Sequence, residues 1–286
     1  VEYSNDLFSG MPLRLKEGEA EILSQNASTL SHYCDLSALQ SILTKNELWA
    51  SNIKFLNDEQ EMEYGLGVAR AIIREYLKSA KPKAKPSLIT LKQLRADIPD
   101  VYVCCFCVEP DLLSQWRGYG LARQSVSIQF DRGRLNDFSK TYAADLVNVI
   151  YGQEDARRLF QSLATSPRLE THFRELLGRM EGLDLPDMNK NLILKAAARI
   201  KDKAFSEENE WRIVSHGRHP EFRVRDNLLV PYIKIGKANR ALPILSVTVG
   251  PGKDVDLTVE SIKKFLAYSK YYRDVHVKVS EIPFRG

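Results

Sequence analysis

Three short runs hold the residue types best suited to chemistry. The first is His32-Tyr33: a histidine at a strand end can donate to a ribose hydroxyl, and the aromatic neighbour can stack on a ring. A histidine merely satisfied at the end of a strand is the bland alternative. The second is Gln115-Trp116-Arg117-Gly118-Tyr119-Gly120. Its glycines allow tight turns or close approach of a ligand, its aromatics supply flat faces, and Arg117 supplies a five-donor fork for phosphate or carboxylate. A turn packed by its own aromatics explains it equally well. The third is Glu207-Glu208-Asn209-Glu210-Trp211-Arg212. If a strand begins here, alternation sets Glu208, Glu210 and Arg212 on one face and Trp211 on the other. Two carboxylates on one face repel, so one is expected to have a raised pKa while Arg212 offsets the other. Such a pair could stabilise an oxocarbenium ion and activate a nucleophile; a solvated acidic turn is the alternative.

Other motifs point to less. Gly250-Pro251-Gly252-Lys253 could cradle an anion through backbone N–H groups, but a turn between strand and helix accounts for it as well. The sequence has no Gly-rich dinucleotide fingerprint, no phosphate loop ending in Lys-Ser/Thr, no His-Glu-x-x-His and no Gly-x-Ser-x-Gly. Cys104, Cys105 and Cys107 are too close along one strand to bridge one another, and with Cys34 they form no zinc pattern. They read as free thiols of a reducing compartment. A net charge of +4 does not mark a nucleic-acid binder, and the cluster Lys78, Lys81, Lys83 and Lys85 alternates with Pro and Ala as a solvated linker does. No run of 18 apolar residues spans a membrane. The expectation is a cytoplasmic protein with no membrane partner.

These runs need elements to position them. Leu30–Tyr33 reads as a strand feeding a helix capped by Asp35, with Leu36, Leu39, Ile42 and Leu43 on its buried face. Glu47–Ser51 is a second strand. Asn57 and Gln60 form a capping box for a helix carrying Met62, Leu66, Ala69, Ile73 and Leu77. Strands are expected at Val101–Val108, Ser125–Phe130, Val147–Tyr151, Trp211–Val214, Leu228–Ile235, Ile244–Val249 and Val275–Val279. Helical patterns fill 154–203, with Asp187 as a cap and Leu192, Ile193, Ala196, Ala197 and Ile200 on the last helix. A further short helix carries Ile262, Phe265, Leu266 and Tyr268. Strands on both sides of a helical insert imply one α+β domain with a mixed sheet assembled from both ends. The expected layout is an N-terminal extension over 1–29 and one domain over 30–286, with the insert at about 152–203.

The stretches His32–Asp58, Ser114–Asp131, Phe205–Val214, Val-Gly-Pro-Gly-Lys-Asp (249–254) and Ser-Glu-Ile-Pro-Phe-Arg (280–285) resemble domain-of-unknown-function family 2971. That bacterial family occurs among mobile-element and phage-defence genes. The opening pattern is a histidine-aromatic pair, then Leu39-x-x-Ile42-Leu43, then Leu48-Trp49. It resembles the first motif of ADP-ribosyltransferases, in particular toxins that modify DNA or RNA bases. The resemblance implies a split sheet with NAD as co-substrate in the cleft. His32 then holds the nicotinamide-side ribose, Glu210 is catalytic and Glu208 prepares the acceptor. Tyr33, Trp116, Arg117, Tyr119 and Arg212 complete the nucleotide-binding set, with Tyr119 standing in for the superfamily's middle-strand motif. No metal is required. The implied activity is cleavage of NAD and transfer of ADP-ribose to a nucleic acid or protein, in phage defence or as a toxin. The rival is a non-catalytic sensor or adaptor that binds a nucleotide or phage component and signals to a partner protein in a defence system; its mark is Glu210 paired to Arg212 and unavailable. A metal-dependent nuclease would instead gather Asp58, Glu59 and Glu208 around an ion.

Overall fold

A computed structural model describes residues 27–56, 62–69, 71, 100–120, 124–165, 196–216, 219–225 and 227–283. The capping box at Asn57, the acids Asp58 and Glu59, Ile73 and Leu77, the lysine cluster, Asp187, Leu192, Ile193 and the side chain of Tyr119 lie outside the described residues.

The chain opens with β1 (Thr29–Asp35), whose alternation sends Leu30 and Cys34 to the main core and Ser31 and Tyr33 to the opposite face. Asp35 caps α1 (Leu36–Lys45), its Oδ1 accepting from the Ala38 N–H at 2.7 Å. The helix buries Leu39, Ile42 and Leu43 and ends at left-handed Asn46. Leu36 belongs to the exposed first turn, not to the buried face expected of it. After β2 (Glu47–Asn52) comes β3 (Val101–Cys107), then α2 (Leu113–Gly120), β4 (Ser125–Asp131), α3 (Arg132–Lys140) and the short strands β5 (Asp145–Asn148) and β6 (Ile150–Tyr151). Helix α4 (Gln153–Thr165) follows. Then β7 (Ile200–Lys201) pairs in parallel with β6, so Ile200 is a strand residue and not the end of a helical face. A 3-10 turn (Lys203–Glu208) leads to β8 (Glu210–His216), β9 (Glu221–Arg225), β10 (Leu228–Gly236), β11 (Ile244–Val249), α5 (Val255–Ala267) and β12 (His276–Val279). Tyr268, expected on the last helix, lies just past it and is exposed.

This is a mixed α+β architecture with a ten-stranded sheet drawn from both halves of the chain. Most neighbours are antiparallel, and β11 with β12 is parallel. One face carries the main core, where Tyr102, Phe106, Ile128, Phe130, Ile213, Ile233 and Val247 meet α1, α3 and α5. On the other face Val101, Val103 and Val214 meet Ile53, Met62, Leu66, Ala197 and Ala198.

The sheet forks at β3. All seven residues of β3 pair with β8 along one edge. The other edge is shared: β1 joins it at Ser31↔Cys107, and β2 joins it at Ser51↔Val103 and Asn52↔Tyr102. Between those points β1 and β2 diverge, with α1 connecting them.

Candidate functional site

Glu210 opens β8 beside Cys107, and its carboxylate is 4% exposed. Arg212, two residues on and therefore on the same face, grips it with two parallel bonds: Nε donates to Oε1 at 2.7 Å and Nη2 to Oε2 at 2.9 Å. The third nitrogen of the fork, Nη1, donates to the Ala198 carbonyl at 2.8 Å. Lys201 on β7 completes the group, its Nζ lying 3.2 Å from Glu210 Oε2 and 2.8 Å from Glu208 Oε2. Two carboxylates thus meet two cations, so the group is neutral as a whole. The Glu210 backbone is held as well, its N–H donating to Tyr151 Oη at 2.8 Å.

The electrostatics are those of a paired carboxylate. Burial by itself pushes the Glu210 carboxyl up, but the Arg212 guanidinium, its hydrogen bonds, Lys201 and Cys105 more than reverse this and hold it at about 2. Glu208 is not on the strand. It ends the 3-10 turn, and Asn209 at φ 42° separates it from β8 in the left-handed conformation that asparagine tolerates.

Tyr33 and Trp116 come together, but as core. Their rings meet edge to face at 4.7 Å. The Tyr33 hydroxyl donates to the Glu109 carbonyl at 2.8 Å and accepts the Leu112 N–H at 2.9 Å, and burial pushes its pKa up. Trp116 is 1% exposed, and its Nε1–H donates to Asp111 Oδ1 at 2.6 Å. Gln115–Gly120 is helical rather than a turn, because burying the indole against Tyr33 outweighs the weak helix propensity of Gly118 and Gly120. Trp116 has no open face for a ligand, while Arg117 on the same helix is exposed. The glycine turn has a structural account too. A Cβ on Gly250 would sit 2.7 Å from the Trp116 ring and 2.8 Å from Ser125 Oγ, so glycine is required there for close approach.

His32 does not join Glu210. Ser31 is in register with Cys107, and Cys107 with Glu210, so period-2 alternation turns the neighbouring His32 to the opposite face. Its ring fills the fork, where Nδ1 lies 2.8 Å from the Cys105 carbonyl. The carbonyl can only accept, so Nδ1 carries the proton and Nε2 is an acceptor. Burial first, and then the Arg223 charge, lower the pKa of His32 against the raising effect of the Cys105 bond, which keeps the imidazole neutral.

Across the fork lies a cluster that the sequence reading did not single out. Trp49 on β2 stacks on Tyr232 of β10, with ring centroids 4.5 Å apart and planes 30° apart. The Arg223 guanidinium lies 5.3 Å and 5.6 Å from these rings, and Lys45 Nζ lies 5.1 Å from Trp49. Arg223 Nη2 also donates to Ser51 Oγ at 2.8 Å. His32, Trp49 and Arg223 are all partly exposed, in contrast to Glu210 and Arg212. The alternation Glu221-Phe-Arg-Val-Arg225 signalled a strand, but the reach of Arg223 to the fork depends on β9 lying outside β10, a non-local fact. Lys201 and Tyr151 were missed for the same reason. Among the described residues no group of three or more His, Cys, Asp or Glu side chains could hold a metal ion. The four cysteines are free thiols. Among the described residues no helix is long and apolar enough to cross a membrane.

Residues 115–213, about a third of the 286, match a family described as a protein of unknown function (DUF2971). That span contains most of α2 and the Glu210–Arg212 pair. No curated protein matches the chain, and no solved structure does.

Proposed function

We propose that this chain recognises a nucleotide, with NAD the first to test, beside the fork of its sheet, and that it does not turn the ligand over through Glu210. The observation that carries this reading is the contrast between two clusters. Both carboxylate oxygens of Glu210 are bound by buried cations, whereas His32, Trp49 and Arg223 keep partial exposure around the gap between β1 and β2. A nucleotide offers what those residues lack: an anion for Arg223 and Lys45, a flat ring for the Trp49–Tyr232 stack, and a ribose hydroxyl to donate to His32 Nε2. In this reading the protein is a sensor or adaptor, and occupancy of the fork is reported to a partner protein.

One observation favours a second reading, the ADP-ribosyltransferase-like enzyme. β1 and β2 leave the same edge of β3, a split of the kind that the resemblance implies, and His32 sits at the split. That enzyme would have to exchange Arg212 and Lys201 for substrate at Glu210, and to bring groups on opposite faces of the sheet to one ligand. Isothermal calorimetry with NAD on the wild-type chain and on Arg223→Ala tests the primary reading. Binding that weakens by about tenfold or more in the variant supports it, and no heat with NAD, ADP-ribose or ATP sinks it.

A further inference from the structure

We propose that β9 is an interface between two copies of this chain, pairing antiparallel across a twofold axis so that the sheet continues from one copy into the other. β9 is hydrogen-bonded to β10 on one side, and among the described residues no strand pairs its other edge. Its face opposite Arg223 is apolar: Phe222 is 61% and Val224 74% exposed, and the ladder sets them beside Pro231 and Leu229, the latter 65% exposed. An open edge with an apolar face is a template for strand addition, which proteins normally blunt with a bulge, a proline or an inward charge. The apolar face of β9 carries none of these.

The charges on the other face select a second copy as the occupant. β9 reads Glu221-Phe222-Arg223-Val224-Arg225. Antiparallel self-pairing that keeps like faces together must turn about a residue. About Phe222, Glu221 meets Arg223 of the second copy and Arg223 meets Glu221. About Arg223, Glu221 meets Arg225 and Phe222 meets Val224, but Arg223 meets Arg223 of the second copy, a like-charge pair that disfavours this register. The register about Phe222 sets acid opposite arginine and apolar opposite apolar, so the strand complements itself there. The exposed apolar side chains offer on the order of 400 Å² per copy. That is below the roughly 800 Å² per partner of a standard interface, so the dimer is expected to be weak.

Sedimentation velocity of the full chain from about 5 µM to about 500 µM tests this, since a weak interface of this size dissociates within that range. The expected result is a monomer–dimer equilibrium whose association falls about tenfold or more in Val224→Lys. Leu257→Lys, at a 67% exposed leucine on α5 near the other edge of the sheet, leaves it unchanged. Circular dichroism identical to wild type shows that both variants fold. A chain that remains monomeric at the highest concentration, or a dimer indifferent to Val224→Lys, overturns the proposal.

Discussion

Replacing Glu210 with glutamine removes one charge from a neutral group of four and leaves Arg212, 1% exposed, facing an amide. Two independent estimates give the size of the loss. Breaking one partner of a buried pair costs about 3–5 kcal/mol, because the remaining charge stays desolvated. The carboxyl is lowered from 4.5 to about 2 on folding, and that depression corresponds to on the order of 3 kcal/mol. A depressed carboxylate stabilises the fold above its unfolded pKa, and this contribution is lost as pH falls from about 4.5 towards 2. Wild type should therefore lose stability steeply over that window, while Glu210→Gln should start lower at neutral pH and fall less. Urea unfolding followed by tryptophan fluorescence at neutral pH and at steps down to about pH 2.5 measures both quantities. A variant within about 1 kcal/mol of wild type, with the same acid limb, would refute the reasoning and leave Glu210 available for other work.

Other predictions follow from neighbouring groups. His32 should titrate below 6.5 by proton NMR, with nitrogen shifts reporting the Nδ1–H tautomer. Because the folded chain resists that proton, the stability due to neutral His32 is complete above pH 6.5 and declines below it, and His32→Asn should flatten that part of the profile. Tyr33→Phe removes the hydroxyl that joins Glu109 to Leu112, and should lower stability by about 1–3 kcal/mol in thermal unfolding. Gly250→Ala drives a methyl into the Trp116 ring; a loss of about 1–3 kcal/mol and a changed tryptophan emission are expected.

What could be read from the sequence was local. The Asp35 cap lies three residues from the Ala38 N–H that donates to it, and Glu210 with Arg212 needs only period 2, so both are visible before any tertiary contact is known. Arg212 was expected to offset a neighbouring carboxylate, and Glu210 is the carboxylate it holds. Glu208 was misplaced because a single residue, Asn209, turns left-handed and interrupts the alternation. The two glycines of Gln115–Gly120 suggest a turn, whereas its helix has a tertiary reason: an indole seated on Tyr33 and tied to Asp111, which also holds Ser280 and Glu281. The fork was least legible. Strand order β1–β3–β2, the insertion of His32 towards Cys105, and the approach of Arg223 and Lys201 all depend on pairings between distant segments, for which one sequence carries no local signal.

The central claim is that a nucleotide is held at the fork while Glu210 remains in its ion pair. Incubating wild type and Glu210→Gln with labelled NAD and bacterial lysate, while following nicotinamide release and transfer of label, tests it most directly. NAD is expected to be bound and recovered intact from both proteins. Nicotinamide release that depends on Glu210 would contradict it and establish the transferase reading in its place, with the labelled fraction identifying protein, nucleic acid or water as the acceptor.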